Sequence, residues 1–294
     1  MADSAIIVAH EPILRWAGSK KRSLRYLLEH TPAQFEQYIE PFAGSACLFF
    51  NLNPRRAVLG DTNPYLIEFY ETARRHATRV FNEFAELRRT EKNYYRVREQ
   101  YVWETSAIRR AAYFLFLNRN CFNGIFRVNK KGIFNVPFSA SRVPLYPSKE
   151  TFQDSMKALN VAKIESADFV DLCKRHVRKG DFVYLDPPYY VPKQRVFSEY
   201  VPHEFARADI ERLTNLLELI DSRGAFFLMN YPDCPMMRKI ALRWKRRRIQ
   251  IRRTISSQVA SRGYTTEILI FNFGETNDGV QASGRKRSTP SQWR

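Results

Sequence analysis

Cysteine is scarce in this chain of 294 residues, and its four cysteines, Cys47, Cys121, Cys173 and Cys234, lie far apart. None belongs to a CxxC pair and the five histidines are equally scattered, so neither a disulfide framework nor a zinc site is predicted. Reduced thiols of this kind are typical of a reducing compartment. We therefore expect a cytoplasmic protein that needs no metal.

Long apolar runs are missing as well. A conspicuous one, Ala111 to Leu117, is far too short to cross a bilayer, and the N-terminus lacks the pattern of a signal peptide. A glycine-rich phosphate-binding motif is also absent, because the loop Glu40-Pro-Phe-Ala-Gly-Ser-Ala46 holds a single glycine. These absences predict a soluble protein that binds no membrane and does not cradle a pyrophosphate group.

Positive charge, in contrast, is abundant. Lysine and arginine number 48 against 30 aspartates and glutamates, which gives a formal net charge of +18 at pH 7. Such a field favours a polyanionic partner, and nucleic acid is the commonest one. A basic protein of the membrane surface is the alternative. The charge is, however, spread along the chain and is not concentrated beside an apolar helix or a lipidation signal.

Strand patterns that alternate with helix patterns predict an α/β fold. Strands that end in polar residues and are separated by helices indicate a parallel sheet, whose ligands bind beyond the carboxyl ends of the strands. A further helix is predicted near the N-terminus, from Ser19 to Glu29. Strands are predicted at 37–40, 56–60, 181–185 and 225–229, and the helices between them at 46–52 and 204–221.

Residues 66–150 differ from the rest and are predicted to be a helical insertion between the two halves of the sheet, which is formed by 1–65 and 151–273. Apolar positions recur at helical spacing from Leu66 to Leu87, a basic and aromatic stretch follows, and a second helix is predicted at about 107–118. The basic tail 274–294 is polar and is predicted to be disordered.

The most informative motif is Asp186-Pro-Pro-Tyr189, at the end of the third predicted strand. Such a motif suits a heteroaromatic amine, whose exocyclic nitrogen is a poor nucleophile because its lone pair is delocalised into the ring. The Asp186 carboxylate and the Pro187 carbonyl would accept its two N–H protons and stabilise the charge that develops there. Pro187 and Pro188 stiffen the loop, and Tyr189 would stack on the base. A proline-rich turn with aspartate as turn former is the alternative.

Two further segments carry candidate ligand contacts. Asp61 follows Glu40 by 21 residues and ends the next strand, where a carboxylate accepts hydrogen bonds from ribose hydroxyls. Its alternative role is to cap a helix that begins near Pro64. In Arg15-Trp-Ala-Gly-Ser-Lys20, Trp16 would pack on a ligand and Lys20 would pair with a carboxylate, although ordinary packing also explains such a segment.

Taken in chain order, these segments resemble the Dam-type adenine-N6 DNA methyltransferases of the D12 class, alpha group. The similarity extends from about residue 12 to about residue 273. Each segment alone is weakly specific, whereas the ordered set is highly specific. The segments are Arg15-Trp-Ala-Gly-Ser-Lys20, Glu40-Pro-Phe-Ala-Gly-Ser-Ala46, Gly60-Asp-Thr-Asn-Pro64, Leu117-Asn-Arg119, Phe122-Asn-Gly124, Gly132-Ile-Phe-Asn-Val-Pro137, Asp186-Pro-Pro-Tyr189 and Arg252-Arg-Thr-Ile-Ser-Ser257.

The resemblance implies a class I methyltransferase fold: a Rossmann-like, mostly parallel sheet with an inserted target-recognition domain and a basic C-terminal β-hairpin. It also implies S-adenosyl-L-methionine as the methyl donor and Asp186, Pro187, Pro188 and Tyr189 as the catalytic residues. Ser19 and Ala46 depart from the family, in which glycine is common at these places. The positions that match the family's cofactor contacts are Trp16, Lys20, Glu40, Phe42, Gly44, Asp61, Asp168, Phe169 and Asp186.

Double-stranded DNA is the implied substrate, with adenine in GATC, or in GAT followed by any base, as the implied target. The family match assigns DNA contacts to Arg15, Arg119, Phe122, Asn123, Ile125, Arg127 and Pro137. In addition, nine basic residues fall within 16 positions from Arg238 to Arg253, where Ile249 and Ile251 alternate with them as in a strand. A solvated face is one interpretation of this run. The other is a phosphate clamp formed by Arg246, Arg247, Arg248, Arg252 and Arg253.

The motifs leave other functions open. Because the tetrad serves any exocyclic amine, cytosine-N4 methylation and RNA adenine-N6 methylation are alternatives within the enzyme class. A non-catalytic methyltransferase-like DNA-binding protein is a third, which the presence of Asp186, Asp61 and Lys20 argues against. We expect an enzyme that acts on DNA as a monomer, with a restriction endonuclease as a conceivable partner.

Overall fold

A computed structural model describes residues 9–129, 131–140, 146–190, 205–252 and 264–274 of the chain. Its centre is one sheet of seven strands: β1 (Tyr38–Glu40), β2 (Ala57–Asp61), β3 (Ala162–Ser166), β4 (Phe182–Leu185), β5 (Phe226–Pro232), β6 (Lys245–Arg252) and β7 (Tyr264–Phe271). They lie in the order β3-β2-β1-β4-β5-β7-β6.

Strands β1 to β5 run parallel to one another, and β7 runs antiparallel to its two neighbours, β5 and β6. The central strands β1 and β4 are buried at every position, as expected for a parallel sheet that is covered on both faces. The prediction of an α/β fold with a mostly parallel sheet and a C-terminal basic hairpin is thus confirmed.

Helices cover both faces of the sheet. They are α1 (Leu24–Glu29), α2 (Cys47–Leu52), α3 (Pro64–Arg75), α4 (Ala77–Ala85), α5 (Glu91–Tyr101), α6 (Ala107–Asn120), α7 (Lys149–Ala158), α8 (Phe169–His176), α9 (Arg207–Ser222) and α10 (Pro235–Ile240). Short 3-10 turns lie at Lys20–Arg22, Phe122–Gly124, Leu159–Val161 and Ala241–Arg243. Among the described helices, none is long and apolar enough to span a membrane.

Alternate side chains of β4 point into two separate hydrophobic cores. Phe182 and Tyr184 face a core that includes apolar residues of α1 to α7, whereas Val183 and Leu185 face a second core with those of α8, α9 and α10. Alternate residues of a strand point to opposite faces, so one strand contributes to both cores. The result is a three-layer arrangement with the sheet in the middle.

Two predicted helices are interrupted in the structure. The one expected from Ser19 to Glu29 is a 3-10 turn followed by α1, and the one expected from Leu66 to Leu87 is divided between α3 and α4. The second break occurs at His76, whose φ of −133° is not helical. The break lets α4 leave the direction of α3 and pack on α6, which hydrophobic spacing along the chain could not indicate.

Five elements were not predicted: α5, α7, β3, α8 and α10. Helix α5 is rich in charge, and its buried side chains are limited to Tyr94, Val97 and Tyr101, a narrow apolar stripe. Strand β3 lies at the edge of the sheet and alternates Ala162 and Ile164 with exposed or half-buried polar residues. The secondary structure of such weakly apolar segments depends on packing against residues elsewhere in the chain, which the local sequence does not show.

The division of the chain into domains stays a prediction. Apolar residues of α3 to α6, within the proposed insertion 66–150, share one core with residues of α1, α2 and the sheet. Of the proposed tail, residues 275–294 lie outside the described part of the chain.

Candidate active site

Three loops with polar side chains meet at one edge of the sheet. Glu40 ends β1, Asp61 ends β2, and Asp186 directly follows β4. Because β1 is paired in parallel with both β2 and β4, the carboxyl ends of all three strands lie side by side. Residues far apart in sequence are thereby brought to one place, as the parallel pattern predicted.

Lys20 joins two residues of the Asp186-Pro-Pro-Tyr189 tetrad. Its Nζ lies 2.9 Å from Asp186 Oδ1 and donates a hydrogen bond of 2.8 Å to the Tyr189 hydroxyl. The lysine is buried, with 6% of its side chain exposed, while 19% of the Asp186 side chain is exposed. The ammonium therefore holds one oxygen of Asp186, whose side chain is still partly exposed.

The protonation states of this pair follow from burial and mutual charge. Burial raises the pKa of Asp186 to about 6, and the charge of Lys20 limits the rise. Burial alone would lower the pKa of Lys20, but attraction to Asp186, Tyr189 and Glu267 outweighs it and the pKa is raised. Asp186 is thus a carboxylate above about pH 6 beside a permanent cation.

The ring of Tyr189 is held from a second side. It packs edge-on against the ring of Tyr231 on β5, with a centroid distance of 5.3 Å and an interplanar angle of 64°. The Tyr231 hydroxyl accepts a hydrogen bond of 2.6 Å from the backbone N–H of Tyr190. Between the fixed ends of the tetrad, Pro187 is buried and Pro188 is exposed.

The loop after β1 approaches Trp16 through Gly44. This glycine has a φ of +47°, and a Cβ there would lie 2.8 Å from Trp16 Cδ1, so a larger residue would displace the indole. Its N–H donates to Asp61 Oδ2 at 3.1 Å, and its carbonyl accepts from the Tyr70 hydroxyl at 2.8 Å. Glycine is therefore required for both conformation and space.

Glu40 is buried beneath this loop, where its Oε2 accepts a hydrogen bond of 2.9 Å from the Tyr38 hydroxyl. Burial raises the pKa of Glu40 well above its usual range. Burial thus favours the uncharged form of Glu40, and its contact with a cofactor stays a prediction.

Asp61 organises the loops after β1 and β2. It accepts from the N–H of Gly44 and, at 2.9 Å, from that of Asn63. Burial raises the pKa of Asp61, and these backbone donors oppose the rise. The cap of α3 is Asn63, whose side chain accepts from Tyr65 and Leu66, so the alternative role of Asp61 as the helix cap is not observed.

Aromatic and charged side chains form a second group beside these loops. The rings of Phe42 and Phe169 lie 5.0 Å apart at 30°, and the guanidinium of Arg212 lies 4.8 Å from the Phe169 centroid. Asp168 caps α8 by accepting from Val170 N–H at 2.9 Å, and its Oδ1 lies 2.6 Å from Arg212 Nη2. Phe169 is buried within this group, whereas Phe42 is half-buried.

Arg15 lies against the turn Phe122–Gly124. A Cβ on Gly124, whose φ is +65°, would come within 2.6 Å of Arg15 Cβ. The Asn118 side chain fixes the backbone of Arg15, accepting from its N–H at 2.9 Å and donating to its carbonyl at 2.6 Å. Sequence reasoning gave Asn118 no role, although it stands inside the motif Leu117-Asn-Arg119.

Four predicted DNA contacts are exposed around this turn. Phe122 and Ile125 are 51% and 36% exposed, Asn123 is exposed with a φ of +53°, and Arg127 is exposed while its Nε donates to Asn135 Oδ1 at 2.8 Å. Behind them, the ring of Trp16 stacks on Phe126 at 6.2 Å. The turn is therefore connected by packing to the tryptophan that covers Gly44.

The two other residues predicted to contact DNA near this turn, Arg119 and Pro137, differ in burial. Arg119 is 8% exposed, its Nη1 donates to the Ile13 carbonyl at 2.9 Å, and burial together with Arg15 lowers its pKa. This position favours a structural role for Arg119. Pro137 is exposed, and its carbonyl accepts from Phe122 N–H at 2.9 Å.

The basic hairpin of β6 and β7 presents its arginines on opposite faces. Arg247 alternates with the buried Ile249 on the face that carries Tyr184, whereas Arg246 and Arg248 lie on the other face. Arg248 Nε is 2.6 Å from Asp233 Oδ2, and Arg246 Nη1 donates to the Ala241 carbonyl at 3.4 Å. The last residue of β6 is Arg252, and Arg253 lies outside the described residues.

No group of three or more His, Cys, Asp and Glu side chains in the described part of the chain could hold a metal ion. Two buried polar residues that sequence reasoning missed lie near the tetrad, Asn230 on β5 and Glu267 on β7. Glu267 directly precedes the apolar run Ile268 to Phe271 of its strand, so the local pattern gave no signal that it is buried.

Comparison with known proteins identifies the family. The model of the D12 class N6 adenine-specific DNA methyltransferases matches residues 16–255. The chain belongs to this family. The prediction of an adenine-specific DNA methyltransferase is thereby confirmed at the level of the family. The resemblance that the ordered sequence motifs indicated is confirmed as well.

Relatives within this methyltransferase family are similar over most of the chain. The type II methyltransferase M1.LlaDCHI of Lactococcus lactis subsp. cremoris is 31% identical, covering 90% of this chain and 95% of that protein. The DNA adenine methylase of Escherichia coli K12 is 32% identical, covering 87% and 93%. The solved structure of a precorrin 8W decarboxylase of Methanobacterium thermoautotrophicum aligns with a TM-score of 0.40 at 9% identity, over 90% of this chain and 96% of that one, too distant to inform function.

The pairing of Lys20 and Asp186 predicts the direction of a pKa change. In Lys20→Met, a buried carboxyl loses its counter-ion, so the pKa of Asp186 should rise above about 6. The γ-carboxyl carbon of Asp186, observed by NMR in protein labelled with ¹³C-aspartate and assigned with Asp186→Asn, reports the titration. Lys21→Met, which changes an exposed neighbour, is the control. A titration midpoint that stays in place would contradict the pairing.

Proposed function

We propose that this member of the family transfers a methyl group from S-adenosyl-L-methionine to N6 of an adenine that has been flipped out of duplex DNA. The observation that carries the proposal is the contact of Lys20 Nζ with both Asp186 and Tyr189 at the carboxyl edge of the parallel sheet. An ionised acceptor and an aromatic ring are thereby fixed in one small, partly buried space. This is the arrangement that a planar exocyclic amine requires.

The residues present fit the proposed methyl donor. The half-buried Phe42 offers an aromatic face for an adenine ring, and the buried Phe169 packs against it, with Asp168 directly before Phe169. Asp61 has an N–H donor on each oxygen, yet a carboxylate has about four acceptor sites, so ribose hydroxyls can be added. Gly44 allows close backbone approach beside Trp16. When bound, S-adenosyl-L-methionine supplies an electrophilic methyl group on a positively charged sulfur.

The chain's own residues account for activation of the target amine. Asp186 Oδ1 is taken by Lys20, so Oδ2 accepts one N–H of the amine, and the Pro187 carbonyl accepts the other. Both acceptors stabilise the positive charge that grows on nitrogen as it attacks. Tyr189, held by Lys20 and Tyr231, stacks on the flipped base. Because Asp186 must be ionised to act, activity falls as the pH drops through about 6.

Recognition of DNA is assigned to the turn at Phe122–Gly124 and its surroundings, within residues 66–150. The exposed Phe122 and Ile125 are suited to wedge between base pairs and to occupy the space of the flipped base. Arg127 keeps its terminal nitrogens available beyond the bond from Nε to Asn135, so its guanidinium can meet O6 and N7 of a guanine. We infer GATC, or GAT followed by any base, as the site.

Cytosine-N4 and RNA methylation are the alternative activities, and the family match favours DNA adenine over both. The assay that separates them supplies labelled S-adenosyl-L-methionine with duplex DNA or RNA and digests the product to nucleosides. We expect label in N6-methyl-2′-deoxyadenosine from DNA, produced by a cytoplasmic enzyme that works as a monomer. Because one relative is named a type II methyltransferase, a restriction endonuclease is a candidate partner.

The proposed mechanism predicts the behaviour of Asp186→Ala. Loss of a preorganised charged acceptor should lower the rate of methyl transfer by about a hundredfold or more. Affinity for DNA should change little, because phosphate contacts made elsewhere dominate it. Single-turnover methylation and DNA-binding titrations measure the two quantities, with the exposed Asp154→Ala on α7 as the control. Near-normal turnover in Asp186→Ala would exclude this mechanism.

Arg127→Ala tests the assignment of sequence recognition. Discrimination at one guanine of the site should weaken by about 1–3 kcal/mol, because a bidentate contact to that base is lost. The exposed Arg55, which precedes the amino end of β2 on the opposite edge of the sheet, provides Arg55→Ala as a control of equal charge. Rates on duplexes with single substitutions in GATC give the measurement. Equal discrimination in both variants would remove Arg127 from the recognition surface.

The two faces of the basic hairpin predict unequal effects of neighbouring arginines. Arg247 is exposed on the face of the sheet that carries Tyr184, whereas Arg248 already pairs with Asp233. In Arg247→Ala, the slope of log affinity against log salt concentration should fall by roughly one, the effect of one lost phosphate contact. Arg248→Ala should change it less. Identical slopes in the two variants and the wild type would contradict a phosphate contact by Arg247 and favour the interpretation of the hairpin as a solvated face.

A further inference from the structure

A buried carboxylate behind the tetrad has no part in the function described so far. Glu267 lies in β7, is 7% exposed, and its Oε2 accepts a hydrogen bond of 2.8 Å from Asn230 Nδ2. Asn230 lies in β5 and is fully buried. Burial of a carboxylate is costly unless charge or hydrogen bonds compensate it. One amide donor compensates that cost only in part, and a nearby cation is the usual further compensation.

The strand register places this pair next to the tetrad. Leu185 of β4 is paired with Met229 of β5, so the residues that follow them, Asp186 and Asn230, are neighbours across two parallel strands. Strand β5 is also paired, antiparallel, with β7. In that pair, Glu267 lies opposite Pro232, which is two residues after Asn230. Asn230 thus lies between the strand that carries Asp186 and the strand that carries Glu267.

Further titratable groups lie around Asp186. Burial raises the pKa of Glu40, Cys47 and Tyr184, which favours the uncharged form of each. Among the described residues, the titratable groups that act on Asp186 or are acted on by it are Lys20, Glu40, Cys47, Tyr184, Tyr189 and Glu267.

We propose that Glu267, held by Asn230, is a positioning residue of the methyl-transfer site, where its negative charge anchors the Lys20 ammonium and sets the pH range in which Asp186 is ionised. Glu267 makes no contact with substrate in this proposal. It acts through two groups that do, Lys20 and Asp186. The link to catalysis rests on the proposed function, whereas the effect on ionisation belongs to the protein alone.

The direction of each effect follows from electrostatics. A second negative charge favours the cationic form of Lys20, and Glu267 is among the causes that raise its pKa. The same charge disfavours ionisation of Asp186, and Glu267 adds to burial in raising the pKa of Asp186 to about 6. Removal of the charge should therefore lower the pH at which Asp186 ionises.

An unsatisfied acceptor gives Asn230 a defined part in this arrangement. Only the amide nitrogen can donate to Glu267, so this hydrogen bond fixes the orientation of the Asn230 side chain. Its Oδ1 is buried and has no hydrogen-bond partner among the described residues, and the hydroxyl of Tyr184 on β4 is in the same condition. The bond from Asn230 Nδ2 therefore holds the Glu267 carboxyl in one place at the end of the sheet that carries Asp186.

The decisive measurement is the ionisation of Asp186 in the free protein. The ¹³C-aspartate NMR titration, assigned with Asp186→Asn, should give a midpoint near pH 6 in the wild type. Glu267→Gln keeps the size and an acceptor for Asn230 but removes the charge, and should lower the midpoint by about one pH unit. Glu267→Asp keeps the charge and should stay near the wild type. Glu165→Gln, on the remote edge strand β3, changes net charge equally and should leave the midpoint in place.

The pH dependence of kcat on duplex DNA, measured in the same variants, tests the catalytic link. Since the amine requires ionised Asp186, the acidic limb of the profile should move to lower pH in Glu267→Gln and stay in Glu165→Gln. A displaced NMR midpoint with no displacement of the limb would overturn the catalytic role. A wild-type protein that methylates no adenine would instead defeat the proposed function, while the NMR result would still decide the electrostatic role.

An unmoved NMR midpoint in folded Glu267→Gln overturns the inference. Thermal unfolding establishes that each variant is folded before titration. Should Glu267→Gln fail to fold, Asn230→Asp provides the opposite change, because it adds a negative charge beside Asp186. It should raise the midpoint, and a midpoint that is unchanged or lowered would equally overturn the inference.

Discussion

The buried contact between Lys20 and Asp186 is the interaction on which the site depends. Lys20 is 6% exposed, and a charge in such a place is costly unless a counter-charge is close. The pairing therefore fixes the N-terminal loop across the carboxyl edge of the sheet, next to the end of β4. Through Lys20, it also holds the hydroxyl of Tyr189. Removal of either charge would leave the other buried without the partner that lies 2.9 Å from it.

The order of strands explains why motifs scattered along the chain form one site. Strand β1 lies between β2 and β4, so the loops that carry Gly44, Asp61 and Asp186 are adjacent although β1 and β4 are distant in sequence. Packing extends this unit outward. Trp16 covers Gly44 and stacks on Phe126, which follows the exposed turn at Phe122–Gly124. The proposed recognition turn and the tetrad thereby belong to one packed structure.

The net charge of the chain overstates the surface that is free to meet DNA. Arg74 donates to the Ala162 carbonyl at 2.7 Å, Arg119 to that of Ile13, and Arg212 and Arg248 pair with aspartates. Such guanidinium groups connect elements of the fold and have less capacity for phosphates. Arginine suits both tasks because its planar fork can satisfy several carbonyl or carboxylate oxygens at once. The count of basic residues therefore predicts the class of partner, and the contacts decide which residues face it.

The sequence by itself determined the α/β class, the four strands of the sheet that are strongly apolar, the family, and the residues of the tetrad, because these depend on local pattern and on motif order. Tertiary structure decided the break at His76, the helix α5 with its narrow apolar stripe, the burial of Arg119 and the opposite faces of Arg247 and Arg248. It also decided that Asn230 and Glu267 lie behind Asp186. Burial, strand register and ion pairing between distant residues are properties of neighbours in space, and a linear pattern does not contain them.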